Sequence, residues 1–468
     1  MIGPHRRRTL RRRITAGLLL FALAGCSVGP DYATPRFPFS TKFTVSRNAA
    51  PVLLTNAAWW RKFNDPILDQ LVDAALRNNL DLEIARERVT EARALAGTVA
   101  GPLSLTGEAS ALHRGGAMAN TQNGVQATLG LGWLFDPYGG LQARRDAAAA
   151  RIEVADAELD AARLLLLSSL TTAYVDLRYA QYALYLRHQE LRSRRRTLQL
   201  VRDLLNAGAT TRLDLIRAEA LVAETKVQIP GLEAAIRTRA HEIAVLLGQA
   251  PGSLTIPAGS GLQPRASLSA DIGIPADLVR NRPDIRISER LYYAAIADIG
   301  AARADLYPTL SLGGTVSLSA FSGVESNTFS IGPSVRLPAL PNGPRAAAAE
   351  VAESRARQAH TTWTSTVLGA IRDVESALAD YAGSQAAVQA AHQSVRLYSE
   401  TVSLTREMIT GGEATVRDLL DAEQGVAAAR ISLASGVRDL ALDFVALNVS
   451  LGSGNGYEAV GDSTGLGQ

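Results

Sequence analysis

The chain has 468 residues, of which 47% are hydrophobic and 20% charged, and it contains a single cysteine. A chain of this length can bury two or three ordinary cores, so it is not a small domain that needs disulfides or metal to fold. One cysteine excludes a disulfide framework and a cysteine-based zinc site. The formal net charge of +3 would favour nucleic acid or an anionic membrane as a partner only if the basic residues remained in the folded protein.

The amino terminus has the features of an export signal. Residues 6–13 contain six arginines, and the apolar run 14–23 that follows is too short to span a bilayer permanently. The run leads to Ala24-Gly25-Cys26, and small residues before a lone cysteine resemble the lipobox of bacterial lipoproteins, in which cleavage occurs before an acylated cysteine. We therefore expect Cys26 to carry diacylglycerol and N-palmitoyl groups. An ordinary signal peptide with an incidental cysteine is the alternative.

Cleavage before Cys26 changes the charge of the protein. Residues 1–25 contain six basic residues and no acidic residue, so the mature chain has 42 basic and 45 acidic residues and a net charge of −3. The basic excess therefore belongs to the targeting segment. The charge of the mature chain therefore gives no support for nucleic acid as a partner, and we expect the protein to bind no nucleic acid.

The mature chain contains two diverged copies of one unit. One pattern over 207–219 recurs over 411–423, at an offset of 204 positions. A weaker match near offset 203 links the stretch 79–81 to 282–284. We therefore expect the two halves to fold alike. The matched pairs of the stronger pattern are Gly208 with Gly412, Asp214 with Asp418 and Glu219 with Glu423.

Apolar residues recur at every seventh position in both halves. A strict period of seven keeps one apolar seam facing a partner helix when the helices supercoil left-handedly. The pattern predicts two long antiparallel helical hairpins, with turns near Gly208 and at Gly411-Gly412. The outgoing helix over 140–206 would be about 100 Å long at about 1.5 Å per residue. The seam residues of the outgoing helices are Leu170, Leu177, Leu184, Leu191, Leu198 and Leu205 in the first half and Val374, Tyr381, Val388, Val395, Val402 and Ile409 in the second.

Each half also contains two short segments in which apolar and small polar residues alternate. Such alternation is typical of strands with one apolar face. We expect strands at about 103–112 and 125–134 in the first half and at about 309–319 and 328–337 in the second. Each has about ten residues, the length that a tilted strand needs to cross a bilayer. Soluble hairpins with one face on a core are the alternative.

An export signal with a lipid anchor favours the membrane interpretation of these strands. Open sheet edges are not tolerated in lipid, so the strands must close into a barrel. Four strands cannot close, because membrane barrels begin at about eight, and we expect three chains to contribute twelve strands. The segments 113–124 and 320–328, which are rich in Gly, Asn and Ser, would be loops outside the membrane.

Two motifs resemble those of the TolC-type outer-membrane efflux factors, in the lipoprotein subgroup that serves resistance-nodulation-division (RND) pumps. One motif begins at position 282 and continues through the stretch 297–308 into the third strand, and the other is the mature start over 26–35. The resemblance covers essentially all of 16–452. The family-motif residues in this chain are Arg282, Pro283, Asp284, Gly300 and Pro308.

The resemblance implies a fold that is mainly α with a membrane β-barrel portion, built from two structural repeats. It implies a homotrimer in which a 12-stranded outer-membrane barrel stands on a periplasmic α-helical tunnel. No cofactor is implied apart from the covalent lipid. The implied partners are outer-membrane lipid, a periplasmic adaptor (membrane fusion protein) and an inner-membrane RND pump.

The expected organisation follows from the repeats and the resemblance together. The segments are a signal peptide over 1–25, an extended segment over 26–58, the first repeat over 59–251, an equatorial connector over 252–276, the second repeat over 277–451 and a Gly-rich tail over 452–468.

No catalytic or metal-binding motif stands out, and the six histidines are scattered over the sequence, so we expect no enzyme activity. A three-fold ring of carboxylates in a narrow opening would favour cations, and crowded carboxylates raise one another's pKa. The alternative is a plain helix N-terminus, since Thr415 and Thr211 stand three residues before two of the acidic residues. The candidate residues of a periplasmic gate are Asp418, Asp421 and Asp214.

The resemblance also implies a latch at the gate, made of an aromatic residue before the turn and a basic residue after it. Ile409 and Ala414 occupy these two places here, so the usual pair is missing. Arg417 and Arg212 are the candidate replacements.

These features favour a passive exit duct for small molecules, such as drugs or other toxic compounds, in the cell outer membrane and extending into the periplasm. The RND pump would supply the energy through the adaptor. Two other functions remain open: a structural or adaptor lipoprotein that ties envelope layers together, and the duct of a type I protein-secretion system. Lipid-facing strands distinguish a duct from an adaptor.

Overall fold

The computed structural model describes residues 28–35, 58–99, 101–116, 119–254, 256, 263–266, 281–321, 324–338 and 341–454. The signal peptide, Cys26, most of the predicted connector and the tail beyond residue 454 lie outside these residues. The described residues divide into two compact units. The first lies within Met1–Phe37, Glu87–Ala157 and Arg286–Thr366, and the second within Pro38–Arg86, Glu158–Ile285 and Val367–Gln468.

Helices account for most of the described residues, and four strands complete the fold. A short 3-10 helix over Trp59–Phe63 precedes the first α-helix. The elements are α1 (Pro66–Asn78), α2 (Leu80–Gly97), β1 (Leu103–Gly116), β2 (Ala119–Phe135), α3 (Gly140–Asn206), α4 (Arg212–Leu246), α5 (Pro283–Ala304), β3 (Thr309–Phe321), β4 (Val324–Arg336), α6 (Gly343–Thr410) and α7 (Val416–Ser450).

From the helix before the strands onward, the two halves repeat the same order of elements, as predicted. Helices α4 and α7 each have 35 residues, and both their first and their last residues are 204 positions apart. Helices α3 and α6 have 67 and 68 residues. The bounds of α3 are the 140–206 expected from the period of seven, and its length is about 100 Å.

The period of seven explains the packing of the long helices. Leu170 and Leu177 on α3 are fully buried, and Val374 and Tyr381 at the matching positions of α6 are 1% and 8% exposed. Because these residues recur on one face, each helix can bury a continuous seam against its neighbours while the other faces stay polar.

The first unit contains one antiparallel sheet with the strand order β1-β2-β3-β4. The predicted alternation is confirmed, because one face carries large apolar side chains in register. Leu129 lies opposite Val316, which lies opposite Phe329, and all three side chains are at least half exposed in the protomer. On the other face, hydroxyl groups bond across the strands, as between Thr315 and Ser330 at 2.7 Å.

The strands are longer than predicted, and the expected loops over 113–124 and 320–328 are largely strand. β1 has 14 residues, β2 has 17, and β3 and β4 have 13 each. The polar composition of these segments was misleading, because strand pairing uses backbone groups and continues without apolar side chains. His113 still pairs with Asn123, and Ala320 with Glu325.

The second unit holds the main core. Short elements at its start pack against the long helices, and Trp59, Leu167 and Phe444 are completely buried there. The rings of Phe63 and Phe444 meet edge to face, with centroids 5.4 Å apart. This core joins residues from the 3-10 helix, α1, α3, α4, α6 and α7, so it packs together the helices of both hairpins.

None of the helices in the described part of the chain combines the length and the apolar character that a membrane-crossing helix needs.

Two leucines on the same turn of α3 test the core. Leu167 is fully buried and Leu165 is 68% exposed. We expect Leu167→Ala to lower the free energy of unfolding by about 2–5 kcal/mol, because it leaves a cavity, and Leu165→Ala to change it by less than about 0.5 kcal/mol. Urea unfolding followed by far-UV circular dichroism measures both, and equal losses would contradict the assigned burial.

Candidate functional site: hairpin tips and repeat junctions

The two hairpin tips share one turn geometry. Gly208 and Gly412 adopt left-handed backbone conformations, with φ of 73° and 77°. In the first tip the N–H groups of Gly208 and Ala209 donate to carbonyls of the last helical turn, at 3.0 and 2.8 Å, and the second tip repeats both bonds at 3.1 and 2.8 Å. These are the bonds of a Schellman motif, in which glycine is favoured. Gly411 has no such constraint, since a side chain there would meet only ordinary contacts.

Each return helix begins with a capping box. Thr415 is the N-cap of α7: its hydroxyl accepts from the Asp418 N–H at 3.3 Å, and the Asp418 carboxylate accepts from the Thr415 N–H at 2.9 Å. Thr211 and Asp214 form the same box at the start of α4. The boxes satisfy N–H groups that a helix start leaves unpaired.

The capping boxes change the expected chemistry of the two aspartates. The Thr415 hydroxyl, followed by its N–H, holds the pKa of Asp418 below its ordinary value, and the Thr211 hydroxyl does the same for Asp214. Within one protomer this is opposite to the rise expected from crowded carboxylates. The cap is therefore complete above the ordinary carboxyl pKa of about 3.9 and is lost as the pH falls through the lower folded value.

Asp421 has a different environment from Asp418. Its side chain is 70% exposed, and its ion partner is Arg417 of the same helix at 3.8 Å. Arg417 therefore does not connect the second hairpin to the first in the way a latch would. Ile409, at the place of the usual aromatic, packs against a buried cluster of the second hairpin around Leu419.

Arg282 of the family motif closes the second repeat. Its guanidinium forms two bonds with Asp284, at 3.1 and 2.8 Å, and donates to the last carbonyl of α7, that of Ser450, at 2.8 Å. Burial alone would lower the pKa of Arg282, but Asp284 and Asp373 outweigh it and raise the pKa above its ordinary value. Pro283 occupies the first position of α5, where a missing N–H costs nothing.

The first repeat has an equivalent junction that the sequence analysis did not assign. Asn79 donates to the last carbonyl of α4, that of Leu246, at 2.9 Å. The two carbonyls are 204 positions apart, and a glycine in a left-handed conformation follows each by two residues, Gly248 and Gly452. A side chain on Gly452 would lie 3.1 Å from the Arg282 Cα, so the close approach requires glycine. The weak match of 79–81 to 282–284 was the available signal.

Gly300 and Pro308 lie in the first unit. A side chain on Gly300 would approach Gly29 to 3.4 Å and Ala143 to 3.2 Å, so this motif glycine makes room for the segment that follows Cys26. Tyr32 holds the same segment, since its hydroxyl donates to Glu289 at 3.0 Å. Pro308 directly precedes β3, where its missing N–H prevents the helix from continuing.

A polar cluster near the tips also escaped the sequence analysis. Glu423 and Arg406 form an ion pair at 2.6 Å. Arg202 and Glu219 form the matching pair of the first repeat at 3.0 Å, and both partners are offset by 204 positions. The match of Glu219 with Glu423 was visible in the sequence, whereas their different burial was not. Among the residues that the structure describes, no three His, Cys, Asp or Glu side chains are placed to share a metal ion.

Thr415→Ala tests the capping box. We expect about fivefold faster amide hydrogen exchange over 413–422, because removal of an N-cap hydroxyl costs about 1 kcal/mol. Thr401→Ala is the matched control, since the Thr401 hydroxyl bonds only within the helix, to the Leu397 carbonyl at 2.9 Å. Mass spectrometry of exchanged peptides measures both variants, and equal exchange over 413–422 in the two would refute the cap.

Gly452→Ala tests the repeat junction. We expect a loss of at least about 1 kcal/mol in the free energy of unfolding, because alanine is strained at a φ of 68° and contacts Arg282. Gly231→Ala, in a helix with no atom near the added carbon, should be neutral or stabilising by up to about 1 kcal/mol. Thermal unfolding compares the two, and a neutral Gly452→Ala would argue against the tight junction.

Comparison with known proteins supports one assignment over both repeats. The outer membrane efflux protein family matches residues 71–249 and 274–453, which are the two repeats taken separately. Nodulation protein T of Rhizobium leguminosarum bv. trifolii is 37% identical over 459 residues, covering 94% of this chain and 97% of that protein. The probable outer membrane lipoprotein SilC of Salmonella typhimurium is 25% identical over 454 residues, covering 93% and 97%.

A solved structure gives the same result for the fold. The structure of the outer-membrane channel OprN superposes with a TM-score of 0.83 and 30% identity, and the match covers 92% of this chain and all of that chain. The tandem order of long hairpins and strand pairs is thus that of a known channel. The chain therefore belongs to the outer membrane efflux protein family, and its fold is that of an outer-membrane channel.

Proposed function

We propose that three copies of this chain form a passive exit duct of a tripartite efflux system. The observation that carries the proposal is the sheet of the first unit, whose apolar face is in register across the strands and exposed in the protomer. An apolar face of this size is unfavourable in water and favourable in the hydrocarbon of a bilayer. The hydroxyl-rich face would line a polar lumen.

The strand order supports a trimer. β1 and β4 are the outer strands of the four-stranded sheet, so each has one edge that no other strand of the described residues pairs with. In lipid such edges must be paired, and β1 of one copy pairing with β4 of the next would close the sheet. Four strands are too few for a barrel, whereas three copies give twelve.

The segment after Cys26 supports a lipid anchor at the membrane boundary. The Val28 N–H donates to the Tyr138 carbonyl at 3.3 Å, and Tyr138 lies between β2 and α3. The Tyr138 ring stacks on that of Tyr307, with centroids 4.5 Å apart. Cys26 is only two positions before Val28, so its lipid would lie at the level where strands give way to helices, in reach of the periplasmic leaflet.

The far ends of the hairpins would form the periplasmic entrance. Three copies would bring together three sets of Asp214, Asp418 and Asp421 at the tips. The Asp421 side chain is 70% exposed and is held by no capping box, whereas the other two accept bonds in theirs. A ring of carboxylates there would favour cations. A periplasmic adaptor would open the entrance, and an RND pump in the inner membrane would supply the energy.

Planar-bilayer recording tests the duct. The purified, acylated protein should run as a heat-resistant trimer and produce discrete single-channel conductance steps, because only a closed barrel with an aqueous lumen passes ions. Mass spectrometry of the amino-terminal peptide should show diacylglycerol and palmitate on Cys26. A monomer without conductance would refute the duct and favour the adaptor interpretation.

Asp421→Asn tests the entrance ring. We expect the preference of the channel for potassium over chloride to fall by about twofold or more, because the variant removes three negative charges from the proposed opening. Thr415→Ala is the control, since it disturbs the same tip without changing its charge. Reversal potentials in a salt gradient measure both, and an unchanged preference in Asp421→Asn would show that the ring is not the constriction.

A further inference from the structure

We propose that Glu423 holds the second hairpin against the first, and that breaking its bonds to α3 is the step that lets the periplasmic end open. The inference rests on the proposed duct and names the residues that regulate it. A buried carboxylate, farther along α7 from the tip, would take the place of the missing aromatic and basic latch.

Glu423 connects three helices through a single oxygen. It lies on α7, and its side chain is 6% exposed. Its Oε1 accepts hydrogen bonds from Ser193 at 3.1 Å and Thr197 at 2.9 Å, both on α3 of the first hairpin. The same oxygen accepts from the Arg406 guanidinium on α6 at 2.6 Å, and Arg406 also donates to Ser193 at 3.1 Å. Two hydroxyls of one hairpin therefore meet an ion pair of the other.

The matching ion pair of the first repeat has no such bonds to the other hairpin among the described residues. Arg202 and Glu219 join the two helices of one hairpin, and their side chains are 48% and 42% exposed. An exposed pair of this kind contributes little to stability. In the second repeat the arginine is equally exposed, but the carboxylate is 6% exposed, and Ser193 and Thr197 donate to it from the other hairpin. Both repeats thus keep the pair, and among the described residues only the second copy of it bonds to the other hairpin.

Near the tips the two hairpins meet in an apolar cluster, in which Val416 and Leu420 of α7 pack with Leu198 and Val201 of α3. Asp418 is occupied by its own N-cap residue, and Arg417 pairs with Asp421 of the same helix. Glu423 lies eight positions after the N-cap, about 12 Å up the helix. Arg438 and Asp176 also join the two hairpins, at 3.9 Å, but about 22 Å farther from the tips. Glu423 is therefore placed to control the end that would open.

The hydrogen bonds of Glu423 hold the second hairpin against the first, and they can break when water reaches the carboxylate. Its Oε2 is buried and has no hydrogen-bond partner within the described chain. A half-satisfied buried carboxylate favours any state in which water reaches it. A groove of about 440 Å³ lies beside it, lined by Ser193, Arg406, Glu423 and their neighbours. A small outward movement of α7 would thus exchange two hydroxyl donors for water.

The double variant Ser193→Ala/Thr197→Ala tests the link directly. It removes both donors of the first hairpin and leaves the Arg406–Glu423 pair intact. We expect the open probability in planar bilayers to rise about tenfold or more, because two hydrogen bonds to a charged group are lost from the closed state alone. The conservative swap Ser193→Thr/Thr197→Ser keeps both hydroxyls and should restore closure.

Glu219→Gln is the matched control from the first repeat. It removes the carboxylate of the duplicated pair, which has no partner on the second hairpin among the described residues, so the open probability should stay that of the wild type. Heat-resistant trimers and unchanged helix content must be found in all variants, which separates opening from misfolding.

Three outcomes would overturn the inference. An assembled Ser193→Ala/Thr197→Ala channel that stays as closed as the wild type would show that Glu423 does not hold the hairpins. An equal rise in Glu219→Gln would show that the effect is not specific to the contact between hairpins. If neither the wild type nor any variant conducts, the proposed duct fails and the latch fails with it, whereas a conducting wild type with the first outcome leaves the duct intact.

Discussion

Both repeats depend on one hydrogen bond, from the residue just before the helix that leads to the strands to the last carbonyl of the return helix. Asn79 makes it to Leu246, and Arg282 makes it to Ser450. A helix end leaves such carbonyls unpaired, and burying them without a donor is costly. The bond therefore determines where each long hairpin ends and where the helix that leads to the strands begins.

The two repeats use the same positions for different purposes. The first junction relies on a neutral amide, whereas the second uses a guanidinium that also binds Asp284 and Asp373. The tips have identical capping boxes, yet only the second return helix carries a buried carboxylate at the position of Glu423. The duplication thus supplies a common frame, and substitutions on one copy bury a carboxylate in the second hairpin where the first has an exposed one.

The sequence predicted the parts of the fold that depend on local or periodic signals. The period of seven predicted the long helix α3, and the alternation of apolar residues found the apolar face of the strands. Strand ends were missed over 113–124, because backbone pairing needs no apolar side chain. The capping boxes could be read from Thr-x-x-Asp, but the direction of the Asp418 pKa could not, since it depends on which hydrogen bonds form.

Contacts between distant positions could not be predicted in this way. Asn79 and Leu246 are 167 positions apart, and neither belongs to a periodic pattern. The bonds of Ser193 and Thr197 to Glu423 cross 230 and 226 positions. Such pairs depend on the rotation of one helix relative to another about their axes. The sequence of a single helix does not determine this rotation.

The close approach of Gly29 to Gly300 leaves the segment that follows Cys26 little freedom to move. Val28 is already fixed to the carbonyl of Tyr138, and two residues can reach only about 7 Å. A lipid on Cys26, as proposed above, would hold the bilayer surface and the junction of strand and helix in register. An insertion of a few residues before Val28 would keep the anchor but release this registration, so the length of the segment matters as much as its composition.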